Sequence, residues 1–129
     1  MKTYKKGEII AKEGEIGNEF FFLMSGKVGA FKEDLVVSEF TEKGTVFGEL
    51  AAILKRPRSL TLIAMEDTQV LVFDGGYEKL VLKHPEFAKR LMIFLAERLE
   101  TTTDKLWAIK SVISNTIIEN NLLSNENSN

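Results

Sequence analysis

The chain contains no cysteine, which excludes disulfides, thiolate nucleophiles and cysteine-ligated zinc at once. It has one histidine, His84, in the run Lys83-His84-Pro85-Glu86. A metal centre inside a β-barrel would need several histidines and a carboxylate converging on one ion, so His84 is read as a solvated or capping residue. No serine stands in a nucleophile-elbow pattern, and no second histidine could serve such a serine as base. A glycine-rich phosphate loop ending in Lys-Ser/Thr is also absent. There is no apolar run of the roughly 20 residues needed to cross a bilayer. The opening MKTYKKGEII is not followed by an apolar stretch of signal-peptide length. An excess of basic charge is missing too, with 17 Lys and Arg against 19 Asp and Glu for a net charge of −2, so no direct contact with nucleic acid is expected. These absences describe a cytoplasmic, non-catalytic protein with no metal, no cofactor and no membrane partner.

What is present fits one domain of 129 residues with 44% hydrophobic content. Seven of the nine glycines fall before residue 50: Gly7, Gly14, Gly17, Gly26, Gly29, Gly44 and Gly48. Between and after them lie short apolar runs of β type: Glu8 to Lys12, Phe20 to Ser25, Lys27 to Lys32, Leu35 to Phe40, Leu60 to Met65 and Thr68 to Asp74. Strands at such close, turn-punctuated spacing predict an all-β sandwich or barrel over about residues 1–75. Glycine then stops after Gly76. Tyr77 to Lys83 reads as a short helix, and Pro85 can open a second one at its first position. That second helix is expected to reach about Asn120, with Thr101 to Thr103 as the point where it could break. Leu95, Leu99, Thr102, Leu106, Ile109 and Ile113 are spaced 4, 3, 4, 3, 4. This is a heptad seam, which suits helix pairing, although an amphipathic helix lying on its own barrel would also use it. Residues 121–129, ending SNENSN, are read as a polar, disordered tail.

The segment Phe47-Gly48-Glu49-Leu50-Ala51-Ala52-Ile53-Leu54-Lys55-Arg56-Pro57-Arg58-Ser59-Leu60-Thr61 concentrates the usable chemistry. Gly48 allows close backbone approach to a ligand. Glu49 to Leu54 can form a helical turn whose first N–H groups attract an anion. Arg58 offers a planar fork of donors matched to phosphate oxygens. Ser59 adds a hydroxyl and an N–H, and Glu49 is an acceptor suited to sugar hydroxyls. Taken singly, Glu49 could equally be a solvated loop carboxylate and Arg56-Pro57-Arg58 an exposed basic turn.

This segment closely resembles the phosphate-binding cassette of the cyclic-nucleotide-binding domain family, whose members include the bacterial catabolite activator, the protein kinase A regulatory subunits and cyclic-nucleotide-gated channels. The likeness extends to the glycine pattern and aromatic strand of Gly7 to Leu23 and to the turn Gly26-Lys27-Val28, and covers about residues 4 to 110. The resemblance implies an eight-stranded, jelly-roll-like β-roll, then a short helix and a long C-terminal helix, with the domain over 1–120. It also implies a sensor of cyclic nucleotide that signals through its C-terminal helix to a partner protein or to a second subunit of a homodimer; the helix threonines favour cAMP, and the Ser59 hydroxyl keeps cGMP as the alternative. The candidate ligand-binding residues are Gly48, Glu49, Leu50, Ala51, Arg58, Ser59, Thr102 and Thr103. Within that set the resemblance gives Glu49 and Gly48 the ribose 2′-hydroxyl, Arg58, Ser59 and the Ala51 N–H the phosphate, and Thr102 and Thr103 the adenine. Two positions depart from the pattern: Leu60 replaces a small residue and Lys55 replaces the glycine of the kinase subunits. The alternatives are a regulator of the catabolite-activator type that lacks or has lost its DNA reader, and a scaffold that no longer binds ligand.

Overall fold

A computed structural model describes residues 1–127. The chain forms β1 (Lys2–Tyr4), β2 (Ile9–Ala11), β3 (Phe20–Ser25), β4 (Val28–Lys32), β5 (Leu35–Phe40), β6 (Val46–Phe47), α1 (Glu49–Leu54), β7 (Thr61–Ala64), β8 (Thr68–Phe73), α2 (Gly76–Lys83) and α3 (Pro85–Asn127). The eight strands make two four-stranded sheets, ordered β1-β8-β3-β6 and β2-β7-β4-β5. All pairings are antiparallel. Consecutive strands mostly alternate between the sheets, as a jelly-roll requires, and the implied eight-stranded β-roll followed by a short and a long helix is the observed architecture.

The core lies between the sheets. Phe21 and Leu23 of β3, Val28 and Ala30 of β4, Phe47 of β6, Leu62 and Ala64 of β7 and Val70 of β8 are buried together. Strand alternation places Phe20 and Phe22 on the opposite face of β3. There Phe20 meets Phe73 at 5.0 Å between ring centroids and Phe22 meets Phe87, just past α2, at 6.1 Å. The strand is therefore covered on both faces, which is why its run Phe-Phe-Phe-Leu reads as continuously apolar rather than alternating.

Two strands escaped the sequence reading. Lys2–Tyr4 buries only Tyr4, and Val46–Phe47 is two residues long, so neither carries a period. Each exists because a neighbour supplies the ladder: β1 pairs with β8 and β6 with β3.

The chain divides into two compact units, Met1–Lys89 and Arg90–Asn129. Within the second unit, the helix differs from expectation at its end. It does not break at Thr101 to Thr103 and does not stop near Asn120, and residues 121–127, read as disordered tail, are helical. The physical reason is that no glycine or proline follows Pro85, so nothing removes a hydrogen bond or offers a left-handed cap. Residues 128 and 129 of that tail lie outside the described residues. Among the described residues no helix is long and apolar enough to cross a membrane.

Candidate functional site

The first unit places the candidate cassette between β6 and β7. Phe47 anchors its start: the ring stacks on Phe21 at 5.2 Å and on Phe40 at 5.9 Å. The next residue, Gly48, takes φ 77°, ψ 4° as the N-cap of α1. A side chain there would be strained, and its Cβ would lie 3.0 Å from the Phe21 ring and 3.1 Å from Arg58 Nη1. Glycine has no side chain with which to cap the first turn of α1, and the first N–H groups of a helix suit an anion. Glu49 opens the helix and is only 2% exposed. Ala51 and Ala52 are buried, whereas Leu50 points outward and is 56% exposed.

After α1 the chain returns under the same spot. The Arg58 main chain is fixed on both sides: its N–H donates to Glu15 O at 2.9 Å and its carbonyl accepts from Gly14 N at 2.8 Å. Its side chain, 7% exposed, runs inward. Nη1 donates to Gly48 O at 3.2 Å and Nη2 to Glu19 O at 2.8 Å. The guanidinium carbon sits 5.7 Å from the centroid of the Phe21 ring. A Cβ on Gly17 would come within 3.1 Å of Nη2, so the turn before β3 also closes on this cation. Arginine keeps its charge on burial. The fold thus holds a permanent positive charge, already aimed by two carbonyls, against the glycine that starts α1.

The structure therefore brings Gly48, Glu49, Ala51 and Arg58 together. Ser59 follows Arg58 and is exposed, its carbonyl accepting from Lys32 Nζ at 3.4 Å. Leu60, the bulky departure, is partly buried and packs against the core cluster. Thr102 and Thr103 are exposed on α3, in the second unit. His84 is the C-cap of α2, its backbone N–H donating to Leu80 O at 2.8 Å. Among the described residues no group of His, Asp and Glu could hold a metal ion.

Beside the cassette lies an open cleft of about 370 Å³, lined by Ile16, Gly17, Asn18, Ala51, Lys55, Arg56, Gly75, Gly76 and Glu78. At its rim Lys55, the C-cap of α1, adopts φ 54°, ψ 50°. Its Nζ contacts Glu78 Oε1 at 2.6 Å and stands 5.7 Å from the Tyr77 ring centroid. The hydrogen bond to Glu78 raises the Lys55 pKa and, from the other side, holds the Glu78 carboxyl below its ordinary value.

The family model described as the cyclic nucleotide-binding domain matches residues 1–82. The chain belongs to that family. The domain is 33% identical over 103 residues to the cyclic AMP receptor protein of Thermus thermophilus, covering 76% of this chain and 48% of the relative. It is also 33% identical over 92 residues to the cAMP-dependent protein kinase regulatory subunit of Candida albicans, covering 71% of this chain and 20% of that one. The crystal structure of the Thermus thermophilus catabolite activator protein superposes with a TM-score of 0.70 at 28% identity, covering 84% of this chain and 54% of the other. The domain thus spans about half the length of the bacterial relative and a fifth of the kinase subunit.

The sequence reading missed the residues that aim Arg58. Gly48 O and Glu19 O act through backbone carbonyls, which every residue possesses and no motif marks. Phe21 was visible only as part of an aromatic strand. Gly17 was visible as glycine, but its closeness to Arg58 arises from tertiary folding.

Proposed function

We propose that this cyclic nucleotide-binding domain binds cAMP at the cassette and acts as a regulatory sensor without catalysis of its own. Arg58 pairs with the exocyclic phosphate, joined by the N–H of Ala51 and by Ser59. Glu49 and the Gly48 backbone take the ribose 2′-hydroxyl, and Leu50 flanks the ligand. Thr102 and Thr103 are assigned to the adenine by resemblance to the bacterial activators. The observation that carries the reading is Arg58: a buried guanidinium held 3.2 Å from the carbonyl of Gly48, the glycine that precedes α1. The choice of cAMP over cGMP rests on the resemblance of Thr102 and Thr103 to the helix of the bacterial activators, since relatives named for either nucleotide match this chain.

The output is a change in the C-terminal helix, read by a second copy of the chain or by a regulated partner protein, with neither DNA nor membrane contacted directly. A ligand drives such a change only by binding one helix position better than another. The exposed Leu99, Leu106, Ile109 and Ile113 of α3 supply the apolar seam that a homodimer would bury.

Calorimetric titration tests the reading on protein stripped of bound nucleotide by unfolding and refolding. Wild type is expected to bind cAMP at micromolar concentration or tighter, more tightly than cGMP. Arg58→Ala removes a charge-assisted contact and should cost at least about 2 kcal/mol, roughly thirtyfold in affinity. Absence of binding by either nucleotide overturns the assignment and leaves a scaffold that keeps the fold alone.

A further inference from the structure

The helix of the cassette is short, with Glu49, Ala51 and Ala52 buried. Ala51 also borders the open cleft of about 370 Å³ that Lys55, Gly76 and Glu78 line as well. What crosses the gap is Lys55. It closes α1 as its C-cap in the left-handed conformation, at φ 54°, with its N–H donating to Ala51 O. Its side-chain contacts are both on α2: the carboxylate of Glu78 at 2.6 Å and the ring of Tyr77 at 5.7 Å.

We propose that Lys55 is a positioning residue for the nucleotide site, tying the C-terminal end of α1 to Glu78 and Tyr77 of α2 and so holding Gly48, Glu49 and Ala51 in register with Arg58. The inference rests on the nucleotide-binding reading, and Lys55 itself touches no ligand. Its effect is preorganisation: a cassette already held in place spends less of the binding free energy on ordering. The ion pair is half-exposed, with side-chain exposures of 61% and 47%, so its effect is modest and screened by salt.

The test compares wild type, Glu78→Gln and Lys55→Gly as full chains. Three quantities are read: cAMP affinity at low and high salt, melting temperature, and amide hydrogen exchange across α1 without nucleotide. Glu78→Gln is expected to weaken cAMP binding by about two- to fivefold at low salt, the range that an exposed ion pair supplies. The difference should shrink at high salt. Exchange should accelerate in α1 while β3 and β8 keep their protection. Lys55→Gly should bind as weakly as Glu78→Gln yet melt no lower than wild type, since glycine suits a left-handed C-cap. Affinity and α1 exchange equal to wild type in both variants would overturn the proposal. So would an affinity loss that merely follows a drop in melting temperature with exchange rising throughout the β-roll. If wild type bound neither cAMP nor cGMP, the functional reading would fall, and the exchange arm alone would still decide whether Lys55 holds α1.

Discussion

Gly48 and Lys55 bracket α1 with the same left-handed backbone, at φ 77° and φ 54°, and for opposite reasons. At Gly48 the conformation costs little, and the missing side chain makes room for Phe21 and Arg58. Gly48→Ala should therefore lose about 1 to 2 kcal/mol of stability in urea denaturation from the backbone alone. It should also weaken nucleotide binding, because the added methyl presses on the Arg58 guanidinium. At Lys55 the conformation closes the helix as a C-cap, its N–H bonded to Ala51 O, and the side chain that lysine adds reaches Glu78. The resemblance marked 55 as a departure, since the kinase subunits carry glycine there. It could not reveal why lysine is tolerated, because Glu78 is remote in sequence and adjacent only in the fold.

At the scale of elements, legibility followed length and period. The runs over Phe20–Ser25 and Leu35–Phe40 were readable as strands to their ends, since six residues of β-branched and aromatic character between turns carry their own signal. The strands Lys2–Tyr4 and Val46–Phe47 were not, being too short to have one. The helix Pro85–Asn127 showed its start through proline but not its end, because Leu122 and Leu123, good helix formers, follow Asn120 and no glycine or proline interrupts them. Its exposed seam leads to a prediction at this scale. Leu106→Asp and Ile109→Asp each place a charge in the proposed pairing face. Each is expected to turn a dimer into a monomer in sedimentation analysis while leaving the near-ultraviolet signal of the β-roll unchanged. Monomeric wild-type protein at tens of micromolar, about the range in which a weak helix pair associates, would contradict the dimer.

For the whole molecule, the family was legible before the fold was seen because two motifs stood in the right order: the glycines and aromatic strand of 7–23, and the cassette of 47–61. The cassette's side-chain donors and acceptors were legible with it. Its aiming was not, since Arg58 is directed by the carbonyls of Gly48 and Glu19 and by the Phe21 ring. Those partners meet only when the turn before β3, the start of α1 and the approach to β7 are brought together by both sheets. A cyclic nucleotide-binding domain built in this way has its charge placed before a ligand arrives, which favours tight binding with little rearrangement in the β-roll.

The most direct measurement of that claim is a titration of ¹⁵N-labelled, nucleotide-free protein with cAMP, followed by two-dimensional amide spectra. The account predicts saturable shifts concentrated at the amides of Gly48, Glu49, Ala51 and Ser59 and at the Arg58 side-chain N–H, with β4 and β5 beyond the cassette little changed. Spectra that stay the same at saturating cAMP, or shifts that saturate elsewhere while the cassette amides keep their positions, would contradict it.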